Sequence, residues 1–143
     1  MNPIQLIIAI SFLILACSRS DELNIKELSV TTDLTEYAIG DTILLSIQSL
    51  SDSAVLFMVC NGEIMINLDK YNSTWETISD EYECVGFGTY CCDVLMTQEV
   101  WQFVYPTSYM TSGKYRFSIV GIRVGGQTEF VEEPISSNNF KIE

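Results

Sequence analysis

An all-β sandwich of about seven to nine antiparallel strands is predicted by three features of this chain of 143 residues. Apolar residues recur with period two in short runs, and turn-forming residues punctuate those runs about every ten residues. No stretch carries the apolar spacing of an amphipathic helix. Strands without helices bury their apolar faces only by packing sheet on sheet.

The N-terminal segment is read separately from the domain. Leu6 to Leu15 is apolar except for Ser11, and small Ala16 precedes Cys17, as at a signal-peptide cleavage site. The run is too short for a good membrane span. Ile14-Leu15-Ala16-Cys17 resembles the lipobox of bacterial lipoproteins, which implies that Cys17 is diacylated (palmitate-type chains) and becomes the first residue after cleavage. Residues 1–16 are then a lipoprotein signal peptide, residues 17–24 a polar lipidated tether, and residues 25–143 one domain. Ser18 beside the cysteine resembles the signal for the outer membrane, and Asp21-Glu22 resembles surface-export signals. The segment also fits an ordinary secretory peptide, in which case Cys17 is a free or bridged thiol and Asn72-Ser73-Thr74 a glycosylation sequon.

Along the domain, Ile25 to Leu34 is the first strand, with Leu28, Val30 and Thr32 on one face. Glu36 to Asp41 is a turn with an aromatic anchor, Tyr37. Thr42 to Leu50 alternates strongly, and Ser49 to Ser53 turns the chain. Ala54 to Cys60 and Glu63 to Asp69 form a hairpin around Asn61-Gly62, a pair suited to the left-handed backbone of a tight turn. Thr74 to Ile78 is a strand bearing Trp75. Cys84 to Met96 reads as a long loop with short extended pieces. Glu99 to Val104 is a strand ended by Pro106, and Tyr109 to Gly113 a turn. Lys114 to Val124 is the longest strand, Gly125-Gly126 a hairpin bend, Thr128 to Glu132 the return, and Asn139 to Ile142 the closing strand.

Charge and composition exclude several chemistries. With 19 acidic and 7 basic residues the net charge is −12, which repels nucleic-acid phosphates, so nucleic-acid binding is not expected. The membrane contact is left to the Cys17 lipid. Histidine is absent, which removes the commonest general base and the commonest ligand of catalytic zinc. Carboxylate chemistry remains, yet the clusters Asp80, Glu81, Glu83 and Glu129, Glu132, Glu133 sit among turn residues and read as solvated loops. Their spacing matches no calcium loop, and neither a catalytic residue, a metal site nor a cofactor is expected. Trp75 and Trp101 read as core anchors; an exposed aromatic stripe would make them a glycan platform instead.

Cys60, Cys84, Cys91 and Cys92 are an even set in an exported domain, and so read as two disulfides. Cys60 with Cys84 is one pairing; Cys60 and Cys84 bridged separately to Cys91 and Cys92 is another, and it avoids a strained vicinal bridge.

Tyr37-Ala38-Ile39-Gly40-Asp41 with the strand Ile43 to Ile47, Ser112-Gly113-Lys114-Tyr115-Arg116-Phe117, and Ser137-Asn138-Asn139-Phe140-Lys141-Ile142 together resemble bacterial immunoglobulin-like domains of cell-surface lipoproteins. The resemblance spans Leu28 to Ile142, and its short motifs are shared by several families, one of them likened to proteinase inhibitors of bacilli. It implies an immunoglobulin-like sandwich and an envelope location, and it supplies no catalytic or ligand-binding residue. Independently, Tyr115 early in a late strand suits either a tyrosine corner or an ordinary cross-strand pair. The expected function is a non-enzymatic, lipid-anchored envelope protein that binds a protein or glycan or serves a structural role. The alternative is a small secreted hydrolase or a proteinase-inhibitor-like domain.

Overall fold

Alternation in the sequence translates directly into β3 (Thr42–Ser49), where Ile43, Leu45, Ile47 and Ser49 are buried and Leu44, Ser46 and Gln48 are half-buried. A strand places successive side chains on opposite faces, so one face goes to the core and the other toward water. The computed structural model describes residues 28–50, 52–60, 63–79, 92–95, 98–124 and 133–143. The expected signal peptide, Cys17 and the expected tether lie outside the described residues, as do Gly125 and Gly126, expected to bend the chain, and the return strand expected after them.

In the first sheet β3 is flanked by β1 (Leu28–Thr32) and β9 (Val100–Pro106), both antiparallel to it, with Val30 opposite Ile47 and Leu45 opposite Phe103. The second sheet runs β2 (Glu36–Tyr37), β13 (Phe140–Ile142), β10 (Gly113–Ile119), β6 (Ile66–Asn72), β7 (Thr74–Thr77), and β12 (Ile135–Ser136) adds to β10. All of its pairings are antiparallel except the short parallel contact of β2 with β13. The third sheet joins β4 (Val55–Cys60) to β5 (Glu63–Ile64), β8 (Cys92–Leu95) and β11 (Ile122–Val124). The second and third sheets are continuous through the chain. β10 passes into β11 across Gly121, and the Met58 amide donates to the Gly121 carbonyl at 2.8 Å.

Side chains from all three sheets meet in one hydrophobic core. Tyr105 of β9 packs on Phe117 of β10 with ring centroids 4.6 Å apart, and Trp101 of β9 packs on Phe57 of β4 at 5.4 Å. These contacts seat the first sheet on the other two. Phe140 stacks on both Tyr115 and Phe117 at 5.9 and 5.5 Å. Fully burying a side chain of this size contributes about 1.5–3 kcal/mol, so the aromatic centre is a main source of stability. Ser49 departs from the pattern: its hydroxyl is fully buried with no hydrogen-bond partner among the described residues.

The chain is thus an all-β sandwich, as expected, with more pieces of strand. Thirteen strands are described where seven to nine were expected, because predicted strands are broken by bends. Lys114 to Val124 is not one strand: it divides at Gly121, whose φ of 67° turns β10 into β11. Glu63 to Asp69 likewise divides at Met65, with β5 pairing β4 and β6 pairing β10. Glu36-Tyr37, expected within a turn, forms β2 against the last strand, and the end of the expected long loop forms β8 on β4. Cys60 opposite Glu63 leaves two residues between the hairpin arms, the Asn61-Gly62 pair.

Candidate binding face

Period two also decides what β10 presents outward. Tyr115, Phe117 and Ile119 enter the core, leaving Lys114 and Arg116 on the opposite face, where Ser118 is buried. On β6, Leu68 is buried in the core, and Asp69 and Tyr71 belong to the face of Arg116 and Lys114. On β7, Trp75 lies opposite Tyr71 and Thr77 opposite Asp69. The bend between β6 and β7 is made at Ser73 with a φ of 68°, and it brings the two aromatics side by side.

The resulting geometry is specific. Tyr71 and Trp75 meet edge to face, with centroids 5.2 Å apart and planes at 62°. The Arg116 guanidinium carbon lies 4.4 Å from the Trp75 ring centre, and Lys114 Nζ lies 5.4 Å from the Tyr71 centre and 5.6 Å from that of Trp75. A cation over an aromatic face is attracted by the ring quadrupole, so the rings hold both basic groups in place. Underneath, Asp69 is 4% exposed; Arg116 Nε donates to its Oδ2 at 3.0 Å and Thr77 Oγ1 to its Oδ1 at 2.9 Å. A buried carboxylate needs such partners, since an unpaired buried charge is costly.

The same face continues across the sheet. Lys141 of β13 lies opposite Lys114, and Glu36 of β2 lies opposite Lys141, with Lys141 Nζ 3.5 Å from Glu36 Oε1. Lys70, Lys114, Arg116 and Lys141, four of the chain's seven basic residues, therefore belong to this one sheet. Lys70 is on its other side, where it donates to Thr111 at 2.7 Å and lies over the Tyr115 ring.

Trp101 is the core anchor expected, half-buried against Phe57. Trp75 is not: it lies outside the core cluster, beside Tyr71, which is 44% exposed. β7 is the edge strand of its sheet and buries neither face, with Thr74, Glu76 and Thr77 exposed and Trp75 half-buried, so Trp75 stays outside the core. Spacing alone carried a signal for the cluster. Lys114 and Arg116 straddle Tyr115, and Tyr71 and Trp75 straddle Ser73, so each pair shares a face if those stretches are extended.

Of the other predicted sites, Cys60 is buried at the end of β4 and is disulfide-bonded. Cys92 begins β8, its backbone opposite Met58, while Cys84 and Cys91 lie outside the described residues. Asp80, Glu81, Glu83, Glu129 and Glu132 also lie outside them, and Glu133 is exposed. Among the described residues no group of acids and cysteines is placed to hold a metal, and no helix is long and apolar enough to cross a membrane.

No protein-family model matches this chain, and no curated protein matches it. A solved beta-glucosidase from Listeria innocua, in complex with gluconolactone, is similar with a TM-score of 0.33 and 14% identity, over 81% of this chain and 16% of that one. The chain thus corresponds to a small part of that protein's length.

Proposed function

We propose that this chain is a non-enzymatic protein of the bacterial cell envelope, anchored by a lipid on Cys17, whose immunoglobulin-like sandwich binds a protein or a glycan. The observation that carries the binding role is the surface pair Tyr71 and Trp75 with Arg116 and Lys114 held over their rings. Aromatic and arginine side chains dominate interaction sites, because they combine large apolar area with polar handles. Several described carboxylates have structural partners. Asp33 accepts from Tyr37 and the Leu44 amide, Asp41 accepts from the Ala38 amide, and Asp69 accepts from Arg116 and Thr77. A glycosidase needs two carboxylates across a shared cleft, so these commitments favour binding over hydrolysis. The anchoring role rests on the run Ile14 to Cys17, and the outer membrane as its destination on Ser18.

The anchor is tested by labelling cells of a two-membrane bacterium with radioactive palmitate. The native chain should carry the label and sediment with membranes, and the Cys17→Ser chain should be unlabelled and either unprocessed or released. Equal labelling and membrane retention of Cys17→Ser would overturn the anchored reading. Protease shaving of intact cells then reports whether the domain faces outward.

A further inference from the structure

We infer that the face built by Tyr71, Trp75 and Lys114 binds an anionic polysaccharide whose sugar rings carry carboxylates. The inference rests on the binding role proposed above and names its ligand class.

Charge complementarity selects the ligand. The chain is strongly acidic, at −12, yet this face carries Lys114, Arg116 and Lys141 against Asp69 and Glu36. Asp69 is committed to Arg116 and Glu36 lies beside Lys141, which leaves the Lys114 ammonium without a carboxylate among the described residues. Its direct neighbour across the ladder is Lys141, another cation. Like charges directly opposite destabilise a sheet, and an anion arriving between them relieves that repulsion. The acidic charge elsewhere is screened over a Debye length of about 8 Å at physiological salt, so the local sign governs contact.

Shape and chemistry narrow it further. The exposed Tyr71 ring offers an apolar surface to the C–H face of a pyranose, while Lys114 Nζ, 5.4 Å from that ring's centre, stands where a ring carboxylate would meet it. Exposed Thr77 lies on the same face, and its hydroxyl, which donates to Asp69, keeps lone pairs to accept from a sugar hydroxyl. A polyuronate spaces its charges one sugar ring apart, which suits one ammonium that has no carboxylate partner among the described residues. A nucleic-acid duplex carries a charge about every 1.7 Å and would extend its phosphates into the acidic surroundings.

The full chain, purified in detergent, is run through gels containing polygalacturonate, neutral dextran, dextran sulfate or poly-glutamate. Polygalacturonate should retard it most, with an affinity that falls as salt rises. Lys114→Gln and Tyr71→Ala should each weaken that binding about tenfold or more, a loss read directly from the ratio of dissociation constants. Lys70→Gln, which removes the same charge from the opposite side of the sheet, should bind as the native chain does. Binding should also quench tryptophan fluorescence, and Trp75→Phe, which keeps a ring in place, should abolish the quench. The inference is overturned by failure of polygalacturonate to bind, by undiminished binding in Lys114→Gln, or by equal retardation in dextran. Equal retardation by dextran sulfate or poly-glutamate overturns it too, since charge alone would then suffice. Loss of this binding with palmitate labelling and membrane retention intact leaves the anchored protein standing and removes only its assigned ligand.

Discussion

The Tyr115 hydroxyl donates to the backbone carbonyl of Thr111 at 2.6 Å, tying the core of the second sheet to the turn that precedes β10. Tyr115 is 1% exposed, so its ring is a core residue and its oxygen serves the backbone four positions upstream, which is the arrangement of a tyrosine corner. Tyr115→Phe keeps the ring packing against Phe140 and leaves a backbone carbonyl without its donor. Removing one partner of such a bond costs about 1–3 kcal/mol, and urea unfolding should show a loss in that range with an unchanged slope. Thr111→Val retains the carbonyl and should cost less.

Acid should act on the molecule partly through Asp33. Burial pushes its carboxyl pKa up, but hydrogen bonds from Tyr37 at 2.6 Å and from the Leu44 amide at 2.9 Å, with lesser help from the amides of Asp33 and Leu34, outweigh that and hold it below the usual value. A carboxyl lowered in the folded state gives stability that is complete above its unfolded pKa, about 3.9, and is lost as pH falls through the folded value. Asp33→Asn should therefore lower stability at neutral pH and flatten its decline below about pH 4, compared with a substitution at exposed Asp52. Burial and the bond to Asp33 raise the Tyr37 pKa, so its contribution is complete below the ordinary tyrosine value and fades as pH rises above it. Carbon NMR of the Asp33 carboxyl checks the pair: Tyr37→Phe should move its midpoint upward.

The parts of this fold that were legible are those where one local rule sufficed. β3 shows plain alternation, and the hairpin of β4 and β5 follows from Asn61-Gly62. What was not legible depends on distant partners. β8 emerges from a cysteine-bearing stretch because β4 offers it a ladder, with Val55 opposite Leu95. β2 has two residues and exists only through its pairing with β13. The candidate face is harder still, since Arg116 meets Asp69 across 47 positions of sequence. Period two assigned each side chain to a side of its strand; which strands lie together is a tertiary outcome.

Gly121 marks another such outcome. Its left-handed φ of 67° sits inside an apolar run with no turn dipeptide to announce it. A Cβ placed there would stand 2.6 Å from Met58 Sδ and 2.8 Å from Met58 Cβ, the residue whose amide donates to the Gly121 carbonyl. Gly121→Ala should lose about 1–2 kcal/mol from the backbone conformation alone, with the Met58 contact adding to it. Thermal unfolding of Gly121→Ala and of Gly121→Ala with Met58→Gly, each compared with its own Gly121 parent, separates the two, because Met58→Gly removes Sδ, Cγ and Cβ together and leaves the backbone term. Native stability in Gly121→Ala would show that the bend tolerates a side chain.

Reduction is the remaining test of what holds the sandwich together. Cys60 ends β4, the strand that pairs with β5, β8 and β11, and its bridge ties this hub to a distant part of the chain. A bridge stabilises chiefly by restricting the unfolded chain, by about 2–4 kcal/mol, a large share of the roughly 5–15 kcal/mol typical of a domain. Mass spectrometry of the unreduced protein should find Cys60 joined to Cys84, Cys91 or Cys92 and no free thiol among the four. Reductant should lower the unfolding midpoint sharply, and Cys60→Ala should reproduce much of that loss without reductant. An unchanged midpoint on complete reduction would mean that sheet packing alone, centred on Tyr115, Phe117 and Phe140, holds the fold.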